Sequence, residues 1–203
     1  MKKAFVFYLA TILSCASFAQ KVLVFSKTAG YHHASIPAGI EAIKKIGAQN
    51  HFSADTTTNA SKFTDENLKQ YKVIVFLSTT GDLFDTLQKQ AFQRYVRNGG
   101  GVVGIHAATD AEYKWPWYGK LMGAYFESHP NQQTANVLVS VHDHPATKSL
   151  PGVWTRFDEW YNFKNLNKDV HVLLTLDERS YTGGTNGDRH PVSWWQDMEG
   201  GRV

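Results

Sequence analysis

The stretch Gly99-Gly100-Gly101-Val102-Val103-Gly104-Ile105-His106-Ala107-Ala108-Thr109-Asp110 sets a histidine at the end of a short apolar strand. Ligands of α/β sheets bind at the carboxyl ends of strands. Small residues around a polar side chain there let substrate and backbone approach closely. A nucleophile elbow would place serine or cysteine at this point. With His106 there instead, ordinary Ser or Cys acyl chemistry is not expected at this point. An imidazole suits proton transfer or metal ligation, and Thr109 and Asp110 follow closely enough to orient it. The plainer reading is a histidine satisfied by a backbone carbonyl in the core, with Asp110 serving as a helix N-cap.

Other chemistry-bearing residues are scattered along the chain. Tyr31-His32-His33 lies in the polar turn after the first strand, a loop that faces the ligand crevice of a parallel sheet. His129-Pro130 follows an aromatic pair and reads as an extended bend. His142-Asp143-His144-Pro145 resembles a ligand run, yet His-x-His without a further ligand is a weak metal signal, and its place at a strand end reads as a turn. Asp158-Glu159-Trp160-Tyr161 mixes carboxylates with aromatic rings, a combination suited to sugars, whose faces stack on rings and whose hydroxyls bind carboxylates. Trp115, Trp117, Trp154, Trp194 and Trp195 serve either such a cleft or only a core.

The elements that must position these groups alternate in the first half. Lys21–Ser26, His51–Thr56, Lys72–Leu77 and Gly101–Ile105 read as strands, the first, third and fourth as runs buried on both faces. Between them, Ser35 and Pro37 open a helix with an Ile40, Ile43 and Ile46 stripe that Gly47 ends. Thr64 caps a brief helix. Asp85 and Gln88 cap a third, with Leu87, Ala91, Phe92, Tyr95 and Val96 on its apolar side. That order implies a parallel sheet with helices on both faces. The second half is less regular: strands are expected at Thr134–Val141, a candidate for antiparallel pairing, at His171–Leu176 and at Val192–Gln196, where Trp194 and Trp195 point to opposite faces.

At the amino end, Lys2 and Lys3, an apolar run Ala4–Leu13 and Ser17-Phe18-Ala19 form an export signal over residues 1–20, giving a periplasmic protein. The alternative is a lipoprotein anchored through Cys15, the only cysteine among 203 residues. Removal of the signal leaves no thiol for a disulfide, a nucleophile or a zinc site. It also leaves 19 basic against 18 acidic residues and no basic run, so nucleic acid is not an expected partner. No apolar stretch is long enough to span a membrane, and no dinucleotide or phosphate loop is present. Gly200-Gly201-Arg202-Val203 reads as a turn entering a strand, which suggests a domain, residues 21–203, that continues beyond this sequence.

Seven segments in order resemble the ThuA-like, trehalose-utilisation family: Phe25 to Ile36, Gly101 to Ala108, Trp117-Tyr118-Gly119, Phe126 to Pro130, His144 to Thr147, Asp158 to Tyr161 and Pro191 to Trp194. The resemblance implies a flavodoxin-like three-layer sandwich of the class I glutamine-amidotransferase type, with a mostly parallel sheet. Amidotransferase activity is not implied, since the elbow holds His106. It implies instead a role in sugar metabolism, on disaccharides or their 3-keto derivatives, with His33, His106, His129, Glu159 and Tyr161 as matching positions. The catalytic set expected is His106, His33, His129 and Glu159, with a divalent ion such as zinc on the three histidines. Substrate contacts are expected from Tyr31, Asp110, Trp117, Trp160, Tyr161 and Trp194. The partner is a small carbohydrate, bound either by an enzyme or by a non-catalytic accessory module; neither nucleotide nor flavin is expected. Members of the family continue past Gly-Gly-Arg-Val into a further strand.

Overall fold

A computed structural model describes residues 20–203. The export signal and Cys15 lie outside the described residues. The elements in chain order are β1 (Gln20–Phe25), α1 (Ile36–Gln49), β2 (Phe52–Thr57), α2 (Asp65–Leu68), β3 (Val73–Leu77), α3 (Thr86–Arg97), β4 (Gly101–Ile105), α4 (Pro116–Met122), β5 (Tyr125–Ser128), β6 (Gln133–Val139), β7 (Val153–Asp158), β8 (Asn162–Lys164), β9 (His171–Asp177), β10 (His190–Trp195), β11 (Asp197–Met198) and β12 (Gly201–Arg202).

Strands β1 to β4 form a parallel sheet in the order β2-β1-β3-β4. Its alternating side chains feed two cores, because successive residues of a strand point to opposite faces. Val22, Val24, Val75 and Leu77 meet Ile36, Ile40 and Ile43 of α1 on one face. Leu23, Phe25, Ile74, Phe76 and Val102 meet Leu68 of α2, Phe92 and Val96 of α3, and Tyr118 and Leu121 of α4 on the other. The result is the three-layer α/β arrangement expected of a flavodoxin-like fold.

Local signals explain the element ends. Thr64 accepts from Asn67 N to start α2, and Asp85 forms a reciprocal capping box with Gln88 on α3. Four expectations change. Ser35 precedes α1, but its side chain caps nothing, and the helix continues through Gly47 to Gln49. Gly47 is there for close approach rather than termination: a Cβ would lie 2.6 Å from the Phe52 carbonyl oxygen. The apolar stripes are narrower than read, since Ile46 and Leu87 are exposed. Strand β4 is not buried on both faces, because Val103 is 43 % exposed.

The second half builds a separate antiparallel sheet, β10-β9-β6-β7. Strand β7 is an addition to the sequence reading, which saw only acids and aromatics at its end. Ala135, Val137, Trp160 and Leu176 form this sheet's core. A short pair, β5 with β8, follows the parallel half and carries the chain across to the site. Trp194 and Trp195 do diverge: Trp194 packs on Phe163, and Trp195 stacks on His171. Strands β11 and β12 pair antiparallel, so Gly201 and Arg202 are indeed extended.

Candidate functional site

Two loops at the carboxyl rim of the parallel sheet deliver the first histidines. After β1 the chain is pinned to the loop after β3: Ala29 N donates to Thr80 O, Gly30 N to Thr80 Oγ1, and Thr80 Oγ1 to the Tyr31 carbonyl. Gly81 adopts a φ of +74°, and a Cβ there would stand 3.0 Å from Gly30 N, so the two loops close together only through glycine. This clamp holds His33 inward. After β4 the chain turns abruptly at His106, whose φ is +53°, and enters a single 3-10 turn, His106–Thr109. That is the strained strand-to-turn corner expected of an elbow, with an imidazole in place of a nucleophile.

The remaining groups come from the second half. His129 follows β5, and Glu159 and Tyr161 lie in the extended link between β7 and β8. Alternation along that link sends Glu159 and Tyr161 toward the histidines and Trp160 away from them.

These residues meet. Nε2 of His106, His129 and His33 lie 3.3, 3.7 and 3.9 Å from the carboxylate oxygens of Glu159. The rings of His33 and His106 are edge to face at 4.6 Å, and Tyr161 covers His106 at 4.3 Å. The Tyr161 hydroxyl is 3.3 Å from Nε2 of His33. Nδ1 of His129 lies 2.9 Å from the Pro130 carbonyl, an atom that only accepts; Nδ1 therefore carries a proton, and Nε2 is the nitrogen turned toward the carboxylate.

The spacing bears on what the cluster holds. Direct N–H···O bonds to carboxylates run about 2.7–2.9 Å, whereas ligand atoms around one tetrahedral ion, each roughly 2.1 Å from it, stand about 3.4 Å apart. His33, His106 and Glu159 each offer one atom such that all lie within 4.8 Å of one another. The compact donor set thus replaces the expected His129 with Glu159, and His129 flanks it. Two imidazoles and a carboxylate are a donor set that zinc accepts with a fourth position open.

Burial sets the electrostatics. Desolvation, against the opposing pull of Glu159, lowers the pKa of His33 below 6.5. Desolvation and the neighbouring His33 do the same for His106. Burial, then Glu159, raises Tyr161, keeping its phenol protonated. At neutral pH the site therefore offers the neutral imidazoles of His33 and His106 and a phenol donor. The unfolded chain takes up these histidine protons at a higher pH than the native one. Stability of the chelator-treated protein should accordingly be full above roughly pH 6.5 and fall as pH drops through the depressed native values. Urea midpoints taken between roughly pH 7 and pH 5 check this; a pH slope unchanged in a His33→Gln, His106→Asn double variant would refute it.

Other expected contacts divide. Tyr31, 71 % exposed, edges His33 and stands at the mouth. Asp110 closes the 3-10 turn rather than opening a helix, and its Oδ1 accepts from the Tyr113 hydroxyl at 2.6 Å. The same hydroxyl reaches the Phe126 carbonyl at 3.1 Å, tying the loop after β4 to β5. Three tryptophans are elsewhere. Trp117 packs against Trp115 and Phe92 beneath α3. Trp160 is buried in the antiparallel core, with Nε1 donating to Gln133 O. Trp194 donates to the Met122 carbonyl behind Tyr161. Phenol, phenyl and imidazole rings, not indoles, wall the cleft. Neither Tyr113 nor Phe126 is among the site residues expected from the sequence; the three-residue step from Asp110 to Tyr113 is the available signal. His142 and His144 lie in an exposed turn, as read.

The ThuA family model, described as trehalose utilisation, matches residues 21–203. No curated protein matches significantly by sequence. Among solved structures, the chain is similar to a ThuA-like protein from Bacteroides uniformis, with 31 % identity and a TM-score of 0.74 over 92 % of this chain and 80 % of that one. A ThuA-like protein from Parabacteroides merdae gives 21 % identity and a TM-score of 0.75 over 91 % and 77 %. PurLQS from Thermotoga maritima, 10 % identical with a TM-score of 0.54 over 91 % and 85 %, shares the fold alone.

Proposed function

Because this chain belongs to the ThuA, or trehalose-utilisation, family, we propose that it is an enzyme of carbohydrate metabolism that moves protons on a disaccharide or a 3-keto glycoside. Membership fits trehalose utilisation and carbohydrate metabolism broadly; the enzymatic reading rests on the site. Its carrying observation is the convergence of three Nε2 atoms, from loops far apart in sequence, on the one carboxylate of Glu159.

Carbonyl-bearing sugars have acidic C–H bonds beside the carbonyl, so a neutral imidazole can take that proton while a phenol donates to the oxygen. His33, His106 and Glu159 are the residues that would hold a divalent ion, and when bound such an ion polarises a carbonyl or hydroxyl oxygen. His129, with Nε2 directed inward and its ring partly open to solvent, then acts as base. Tyr161, held neutral, acts as donor. The export signal read at residues 1–20 supports a periplasmic location, with anchoring through Cys15 as the alternative.

Calorimetry with zinc, and turnover of trehalose and of its 3-keto derivative, test this reading. One ion per chain is expected, and turnover should be lost with chelator and in His106→Asn, a substitution chosen because Asn tolerates the left-handed backbone. Undiminished turnover in that variant would refute it. The exposed ring of Tyr31 supports a second reading, a sugar-binding module without catalysis. In that case saccharide affinity survives both chelator and His106→Asn, and no turnover is seen.

A further inference from the structure

His190 is fully buried, with no solvent exposure, directly behind the site. Its Nε2 lies 2.7 Å from the Tyr161 carbonyl oxygen, and its Nδ1 lies 2.8 Å from Oε1 of Glu178. That oxygen also accepts the backbone N–H groups of Asn186 and Gly187, at 2.7 and 2.9 Å. With two amide donors on it, that oxygen acts as an acceptor toward Nδ1 as well. Both nitrogens of the ring therefore face acceptors, and an imidazole satisfies two acceptors only by donating from both nitrogens. The Tyr181 hydroxyl stands beside Nδ1 at 3.3 Å.

The segment held in this way is the one that carries the site. Trp160 anchors one side of it in the antiparallel core through its ring and its bond to Gln133 O. On the other side the Tyr161 carbonyl is held by His190. The loop bearing Glu178 and Asn186 is stitched to β8 as well, for Asn186 Oδ1 accepts from Phe163 N and its amide donates to Phe163 O. Glu159 and Tyr161 flank Trp160 and project from the segment that these two anchors hold.

We infer that His190, doubly hydrogen-bonded between Glu178 and the Tyr161 carbonyl, is a positioning residue that fixes Glu159 and Tyr161 against the three site histidines. This role rests on the proposed metal- and proton-handling function of the cluster, but its geometry can be tested without any metal.

Glu178→Gln preserves volume and can still accept from Nδ1, yet it removes the charge that holds a second proton on the ring. Nitrogen-15 NMR of the His190 ring should show two protonated nitrogens in the parent protein and one in Glu178→Gln. Tyr161 lies against His106, so its ring current shifts the His106 ring protons; those resonances should move in Glu178→Gln and in His190→Gln. Zinc affinity, measured by competition, should fall by about 10- to 100-fold, the range for residues that orient metal ligands. Tyr181→Phe, which spares both short bonds, should leave the His106 resonances and zinc affinity unchanged. A singly protonated His190 in the parent protein would overturn the inference, as would unmoved His106 resonances in a folded Glu178→Gln. If the parent protein takes up no zinc while the two NMR results hold, the metal reading fails and the positioning role stands.

Discussion

Glu159→Gln is expected to abolish zinc uptake and lower turnover by about 10²–10⁴-fold while leaving the fold intact. Three imidazole Nε2 atoms approach this carboxylate within 3.9 Å, and among the described residues no other carboxylate is shared by all three. An amide of the same size keeps the packing but substitutes a donor for an acceptor and removes the negative charge on which the three imidazoles converge. Loss of one ligand of three leaves too few for a stable ion, and without the carboxylate that faces the base His129 the acid–base step, worth about 10²–10⁴ in rate, is impaired. Fold stability should change little, because the side chain has no hydrogen bond shorter than 3.3 Å to lose. Zinc calorimetry and turnover of a 3-keto disaccharide measure the outcome. A folded variant with parental affinity and rate would remove Glu159 from the chemistry.

Phe76→Ala should produce the largest loss of stability. The ring is wholly buried and meets Phe25, Phe63, Phe84, Phe92 and Tyr118 at centroid distances of 5.2 to 6.1 Å. Truncating a buried phenylalanine costs about 3–5 kcal/mol, from lost transfer energy and from the cavity left behind. At roughly 2–4 °C per kcal/mol for a domain of this size, Tm should fall on the order of 10 °C. Leu87→Ala, at a site 74 % exposed on α3, is the contrast; exposed substitutions stay within about 0.5 kcal/mol. Equal costs at the two positions would mean that the core is not where the structure puts it.

The parallel half was legible because its signals are local. Runs such as Val73 to Leu77 can only be buried strands, the Asp85 and Gln88 box can only start a helix, and strand–helix alternation leaves few topologies. It also placed His106 directly after β4 and His33 in the loop after β1, on one carboxyl rim of the sheet. The errors in this half were also local in kind. Gly47 was read as a terminator when it is a contact point, and Leu87 matched helical spacing while falling on the solvent side. Spacing states which residues share a face, not what that face meets.

What the sequence by itself determined was therefore the family, the α/β class and the placing of histidines at the sheet's carboxyl edge. Tertiary structure alone decided that Glu159 is the centre on which they converge, that Trp117, Trp160 and Trp194 serve packing, and that His190 stands behind Tyr161. The reason is sequence separation. An antiparallel strand finds its partner through pairings tens of residues away, and a one-residue change of register sends every side chain to the opposite face. For Asp158 to Tyr161, the pairing of β6 with β7 settles which of two alternating sets looks into the cleft, and nothing within those four residues records that pairing.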